Sequence, residues 1–324
     1  MMLHLSPALR AALCGGLVIA AMYLAVFAGS SEGMVLVYLV PSPLFAVGLA
    51  YGLTAALVAT ALAVVVMMIV TGGLALPLTF LVTTALPVLP LVRQALLSRH
   101  HPDGAIEWYP PGLLLMVLTG VGGTLILLAY IAGLIFGDAG GLKTFIHDAL
   151  SEILGQLLRD IGGGAGTSVD DSLMGLFVQI FPGAAVTSLL ALVMVNGLLV
   201  QAVLVRLHWL QRPPLRMSDV ELPHWSPPLL ALTLAGASIS SGDAGFVLVN
   251  LAIVLALPFL FAGLAVVHAF AASRPSKVMV LVVFYVLVAF FAWLVLAVIG
   301  LGIIEQWAGL RRRFGAGLSD RGDV

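Results

Sequence analysis

Nine apolar runs set the rhythm of this chain: Ala11 to Gly29, Met34 to Gly52, Leu53 to Val70, Leu74 to Val92, Leu113 to Phe136, Leu176 to Val205, Leu229 to Ser240, Phe246 to Ala271 and Val278 to Ile304. Crossing a hydrocarbon layer of about 30 Å takes roughly 20 helical residues. Eight runs reach that length once Pro41, Pro43, Pro87, Pro90 and Pro182 are allowed to bend their helices, as prolines in membrane helices do. Leu229 to Ser240 is too short, and predicts a segment that dips in and returns.

One stretch has a different pattern. Leu142, Phe145, Ile146, Ala149, Leu150, Ile153, Leu154, Leu157, Leu158 and Ile161 recur every three or four positions, while His147, Asp148, Ser151, Glu152, Gln156, Arg159 and Asp160 fill the other face. Leu142 to Ile161 is therefore expected to be an amphipathic helix lying flat, a plug or rim on the outer face. Its polar face holds more acid than base, so attraction to anionic lipid does not place it there. Gly162 to Asp171, reading GGGAGTSVDD, lacks the lysine of a phosphate-binding loop and reads as a flexible outer loop. The expected fold is all-α: a polytopic membrane bundle of about eight transmembrane helices, one short re-entrant or partial helix and one extracytoplasmic amphipathic helix. Residues 1–310 make a single transmembrane domain and residues 311–324 a cytoplasmic tail.

Composition makes the membrane assignment firm. A chain of 324 residues that is 61% hydrophobic and 9% charged has too little interior to hide its apolar surface in water. A net charge of −1 leaves no global field to attract nucleic acid. With eight spans, Arg10, Arg93, Arg99, Arg206, Arg212, Arg216 and the four carboxy-terminal arginines share one side, ten of the 14 basic residues. That asymmetry puts both termini on the cytoplasmic side of the membrane.

Candidate chemistry is sparse. Cys14 has no disulfide partner, and His100 and His101 stand side by side without a ligand at helical spacing, so no metal or cofactor is expected. Ser238, Ser240, Ser241 and Asp243 read as a polar loop tip, and no residue is assigned as catalytic. Asn196 and Gln201, deep in an apolar run, are more telling. An unpaired amide in hydrocarbon costs about 2–7 kcal/mol, whereas an interhelical hydrogen bond returns only about 0.6–2 kcal/mol. Neither should face lipid. They point about 140° apart on a helix and so address different neighbours, with Asn250, His268, Thr119, Thr124 and Tyr130 as counterparts. Two readings stay open: a polar pocket for a small solute, or glue between helices. Ala8, Ala12, Gly16 and Ala20 step by four along the first helix, spacing that lets two backbones approach closely.

The motifs FPG (Phe181 to Gly183), Asn196, Arg206, LPHW (Leu222 to Trp225), Asn250, PFLFAGLAVVH (Pro258 to His268) and LGIIEQWAGLRRR (Leu301 to Arg313) resemble the YybS-like family of bacterial membrane proteins. That family is similar in turn to the substrate-binding S subunits of energy-coupling-factor vitamin transporters. The resemblance implies a helical bundle that binds a small organic solute and works with an energy-coupling membrane subunit and ATPases. On it, Asn196, Gln201, Asn250 and His268 would orient the solute, and Ala8, Ala12, Gly16 and Ala20 would dock the partner. This chain departs in having about two more spans than a typical S subunit and no vitamin-specific motif. The rival expectation is a non-transporting scaffold that recruits proteins through the loops Arg93 to Trp108 and Arg206 to Trp225.

Overall fold

A computed structural model describes residues 6–29, 36, 38–136, 141–160, 170–215 and 219–311. Its helices are α1 (Pro7–Phe27), α2 (Pro41–Tyr51), α3 (Leu53–Thr71), α4 (Ala75–Ala95), α5 (Pro111–Phe136), α6 (Gly141–Asp160) and α7 (Asp171–Arg206), then α8 (Ser226–Ile239), α9 (Gly242–Leu255), α10 (Leu257–Ala272), α11 (Lys277–Phe290) and α12 (Leu294–Ala308). A two-stranded antiparallel hairpin, β1 (Ser98–His100) and β2 (Ile106–Trp108), joins α4 to α5. The chain divides into two compact units, one from residues up to Val121 plus Leu189–Leu222, the other from Gly122–Ser188 plus Pro223 onward.

In the first unit, Ser6 caps α1 by accepting the Leu9 amide at 3.2 Å, and Pro7 occupies the first turn, where an amide proton has no helical partner. Small residues then set the packing distance. A Cβ on Gly16 would lie 2.7 Å from the Ala59 carbonyl of α3, so only glycine allows that approach. Ala12, Val47, Ala55 and Ala59 close the gap beside it. Gly52, at φ 95°, ends α2 and starts α3 in a conformation that side chains resist. Leu81–Ala85 within α4 is a π turn, one residue wider than the α-helix around it.

In the second unit, α10 and α12 meet through a reciprocal glycine pair. A Cβ on Gly263 would run into the Val298 carbonyl, and one on Gly302 into the Phe259 carbonyl. The amphipathic helix α6 buries Ile146 with Met174, Val178 and Phe246, and Tyr130, Leu142, Leu150 and Leu154 pack around them. Lys143 at its start reaches Asp243 at 3.2 Å and sits 5.0 Å from the centre of the Phe246 ring.

Six of the described helical stretches have the length and apolarity to cross a membrane: Pro7–Phe27, Leu53–Thr71, Ala75–Ala95, Pro111–Ile135, Asp171–Arg206 and Gly242–Ala272. Eight apolar runs in the sequence become six such helices for identifiable reasons. Within Met34 to Gly52 the longest described helix is the 11-residue α2, about 16 Å long, which begins at Pro41. The run Val278 to Ile304 breaks between Phe290 and Leu294 into helices of 14 and 15 residues. No proline or glycine announces that break. Pro258, lacking an amide proton, interrupts Gly242–Ala272 at Ala256 without shortening its apolar length. The short run around Leu229 to Ser240 is the 14-residue α8, which turns directly into α9 and packs against it where Gly236 faces Leu248. The hairpin was not expected, although Asp103-Gly104 is a hairpin-turn pair and Gly104 takes φ 84°. The expected loop Gly162 to Asp171, apart from Asp170 and Asp171, and the tail beyond Arg311 lie outside the described residues.

Candidate functional site

Asn196, Gln201 and Asn250, the amides singled out from the sequence, are each engaged by the protein. Asn196, 1% exposed, donates to the carbonyls of Leu192 and Tyr38, both at 2.8 Å, and accepts the Ser42 hydroxyl at 2.5 Å. Gln201 pairs with one residue twice: it donates to the Leu215 carbonyl at 3.1 Å and accepts the Leu215 amide at 2.9 Å. Asn250, fully buried, accepts the Gly183 amide at 2.6 Å and donates to the carbonyls of Gln179 and Phe246, at 3.0 and 2.8 Å. Gln179 and Gly183 stand four apart on α7, the spacing of a helical hydrogen bond, with Pro182 between them, and the Asn250 side chain bonds both. His268 donates through Nδ1 to the Leu264 carbonyl at 2.9 Å, which leaves Nε2 to accept the Tyr285 hydroxyl at a long 3.5 Å. Asn196 and Gln201 belong to the first unit, Asn250 and His268 to the second. Among the other counterparts named from sequence, Thr119 bonds the Leu115 carbonyl of its own helix and Tyr130 bonds Asp243.

Ala12, Gly16 and Ala20 are buried inside the first unit and Ala8 is half-buried. The face that the row presents at Ala12 and Gly16 is occupied by α3.

Gln201 lines a cavity of about 50 Å³ with Phe45, Leu49, Met194 and Arg212. That holds about two waters and no solute of drug size. Arg212 is buried there, donating to the Ala95 carbonyl at 2.9 Å and lying 5.7 Å from the Trp108 ring, and burial pulls its guanidinium below the usual arginine range.

A larger space lies elsewhere in the first unit. A cavity of about 320 Å³ is walled by Val26, Phe27, Val40, Pro41, Leu76, Leu189 and Leu192, with Tyr23, Thr79, Thr83 and Thr84 supplying its polar side. The Tyr23 hydroxyl lies 2.8 Å from both threonine hydroxyls, Thr83 and Thr84. On an α-helix consecutive side chains diverge by about 100°, and the π turn of α4 is where two neighbours reach one phenol. Phe80 packs edge-on against the Tyr23 ring, centroids 5.2 Å apart, and fixes the phenol from behind. Asn196 enters this site indirectly. Its bonds to Tyr38 and Ser42 bracket Val40 and Pro41 and so hold one wall of the cavity. Sequence reasoning passed over Tyr23, Thr83 and Thr84; the adjacent threonines four residues before Pro87 were the available signal.

A chain whose described residues are almost wholly helical and include six apolar helices of spanning length is a polytopic membrane protein. Its outward surface agrees: α11 buries none of its residues, and Val278, Phe290, Trp293 and Leu296 are each more than half exposed, as side chains facing lipid are. The chain belongs to the predicted membrane protein family DUF2232, whose model matches residues 16–305. Comparison with curated proteins and with solved structures found no match.

Proposed function

We propose that this membrane protein binds a small organic solute in the Tyr23 cavity, as the binding component of an uptake system similar to the S subunits of energy-coupling-factor transporters. The observation that carries the reading is the cavity itself, about 320 Å³, apolar on most sides with a few convergent hydroxyls. Binding sites for small molecules occupy about 300–1,000 Å³ and have this mixture of an apolar wall and few orienting groups. The apolar wall desolvates the ligand, the hydroxyl cluster orients it, and Asn196 keeps the Val40–Pro41 wall in place. Gln201 then serves the frame of the first unit, and Asn250 and His268 that of the second, since their bonds go to backbone or to Tyr285. The resemblance to the YybS-like family supports a coupling membrane subunit and ATPases as partners in a bacterial plasma membrane. Docking them on Ala8, Ala12, Gly16 and Ala20 would require α3 to leave that row.

Leu192→Trp, which fills the cavity, should abolish uptake of the solute by intact cells while the protein still reaches the membrane and stays folded. Uptake at the native rate in that variant would remove the cavity from the account. A second reading, the scaffold, is favoured by the full engagement of Asn196, Gln201 and Asn250 by the protein's own backbone and Ser42. It requires soluble proteins to copurify through Arg93 to Trp108 and Arg206 to Trp225, and the binding reading requires a membrane subunit and an ATPase.

A further inference from the structure

Among the described residues, every hydroxyl proton facing the Tyr23 cavity is committed inside the protein. Thr79 donates to the Ala75 carbonyl at 2.9 Å, and Thr83 donates to the Thr79 carbonyl at 2.7 Å. A hydroxyl has one proton, so Thr83 meets Tyr23 as an acceptor and Tyr23 donates to it. With the phenol proton spent, the contact between Tyr23 and Thr84 exists only if Thr84 donates. The chain of bonds has one direction, from Thr84 to Tyr23 to Thr83 to the Thr79 carbonyl. What the polar wall shows to a ligand is oxygen lone pairs, and among the described residues no charged side chain lines the cavity.

We propose that the cavity selects an uncharged, mainly apolar molecule of bicyclic size that carries an N–H or O–H donor, and that it rejects anions and molecules that only accept. The inference rests on the solute-binding role proposed above and names its ligand class. A cavity of about 320 Å³ has room for about ten water-sized groups. A carboxylate or phosphate would lose its hydration and meet only lone pairs, whereas an amine, ring N–H or hydroxyl finds an acceptor already oriented.

The test titrates the full chain in lipid nanodiscs with three bicycles of near-equal size: indole, a donor; 1-indanone, an acceptor; and indane, neither. Indole should bind at least about tenfold more tightly than 1-indanone, the ratio expected when one partner of a buried hydrogen bond is missing. Thr83→Val keeps the shape but releases the Tyr23 proton, so 1-indanone should gain affinity and the ratio collapse, while Thr83→Ser keeps the native ratio. A merely structural role for Thr83 would weaken all three probes together. If 1-indanone equals indole, or Thr83→Val lowers both in parallel, donor selection is overturned and the binding cavity survives. If Leu192→Trp leaves all three affinities unchanged, the probes are dissolving in lipid, and the cavity and its selectivity fall together.

Discussion

Asn250 bridges Gln179 and Gly183, which stand four residues apart on α7 beside Pro182. Gly183 makes this geometry accessible, because a Cβ there would sit 2.9 Å from the Asn250 amide oxygen. Replacing Asn250 by leucine keeps the volume but strands a buried donor and acceptor. Each such group costs about 1–3 kcal/mol. Asn250→Leu should therefore lower the unfolding free energy in bicelles by at least about 2 kcal/mol, and a variant as stable as the native chain would show that water replaces the amide. That these amides had to be satisfied was legible from hydropathy alone. Their partners were not, because most are backbone groups beside a proline or in a turn, and residue spacing does not encode them. The hydroxyl cluster was invisible for another reason. Threonines in apolar helices usually bond the carbonyl four residues back, as Thr60, Thr71 and Thr119 do here, so Thr84 gives no signal until a phenol from another helix reaches it.

Helix pairs in this protein are set by where backbones touch. Rows of small residues were legible where they repeat along one helix, and the Ala12 and Gly16 steps do meet α3. The tighter contact, between α10 and α12, uses one glycine from each helix and so forms no row in the sequence. Gly302 and its neighbour Gly300 separate the contact from mere composition, since a Cβ on Gly300 meets nothing within 4 Å. Gly300→Ala should be neutral or stabilising by up to about 1 kcal/mol through helix propensity. Gly302→Ala has to push two backbones apart and should cost about 1–3 kcal/mol. Thermal unfolding of the two variants in one detergent compares them directly, and equal melting temperatures would mean that α10 and α12 do not cross at Gly302. The split of Val278 to Ile304 also belongs to this scale. An apolar run shows how much chain prefers lipid, but Phe291, Ala292 and Trp293 carry no local signal for a break, so the two short helices follow from packing and not from composition.

Membrane residence was legible in the first pass over the sequence because hydrocarbon is a uniform solvent and composition suffices to match it; the sidedness of the cavity needs a further step. The 21 residues of α1 span about 30 Å, one hydrocarbon thickness. Arg10 lies at its beginning, and Tyr23, Val26 and Phe27, which line the cavity, lie in its last two turns. If the basic end is cytoplasmic, the cavity opens toward the outer face, where a component of an uptake system must meet its solute. Thr79 is exposed and lines the cavity, which makes it a reporter. Cys14, the only native cysteine, is exposed on α1 and must first be replaced by alanine. In that background Thr79→Cys should react with a membrane-impermeant maleimide added to intact cells, and saturating indole should slow the reaction. Labelling confined to inside-out vesicles would invert α1, place the cavity on the cytoplasmic face, and contradict a role in capturing solute from outside.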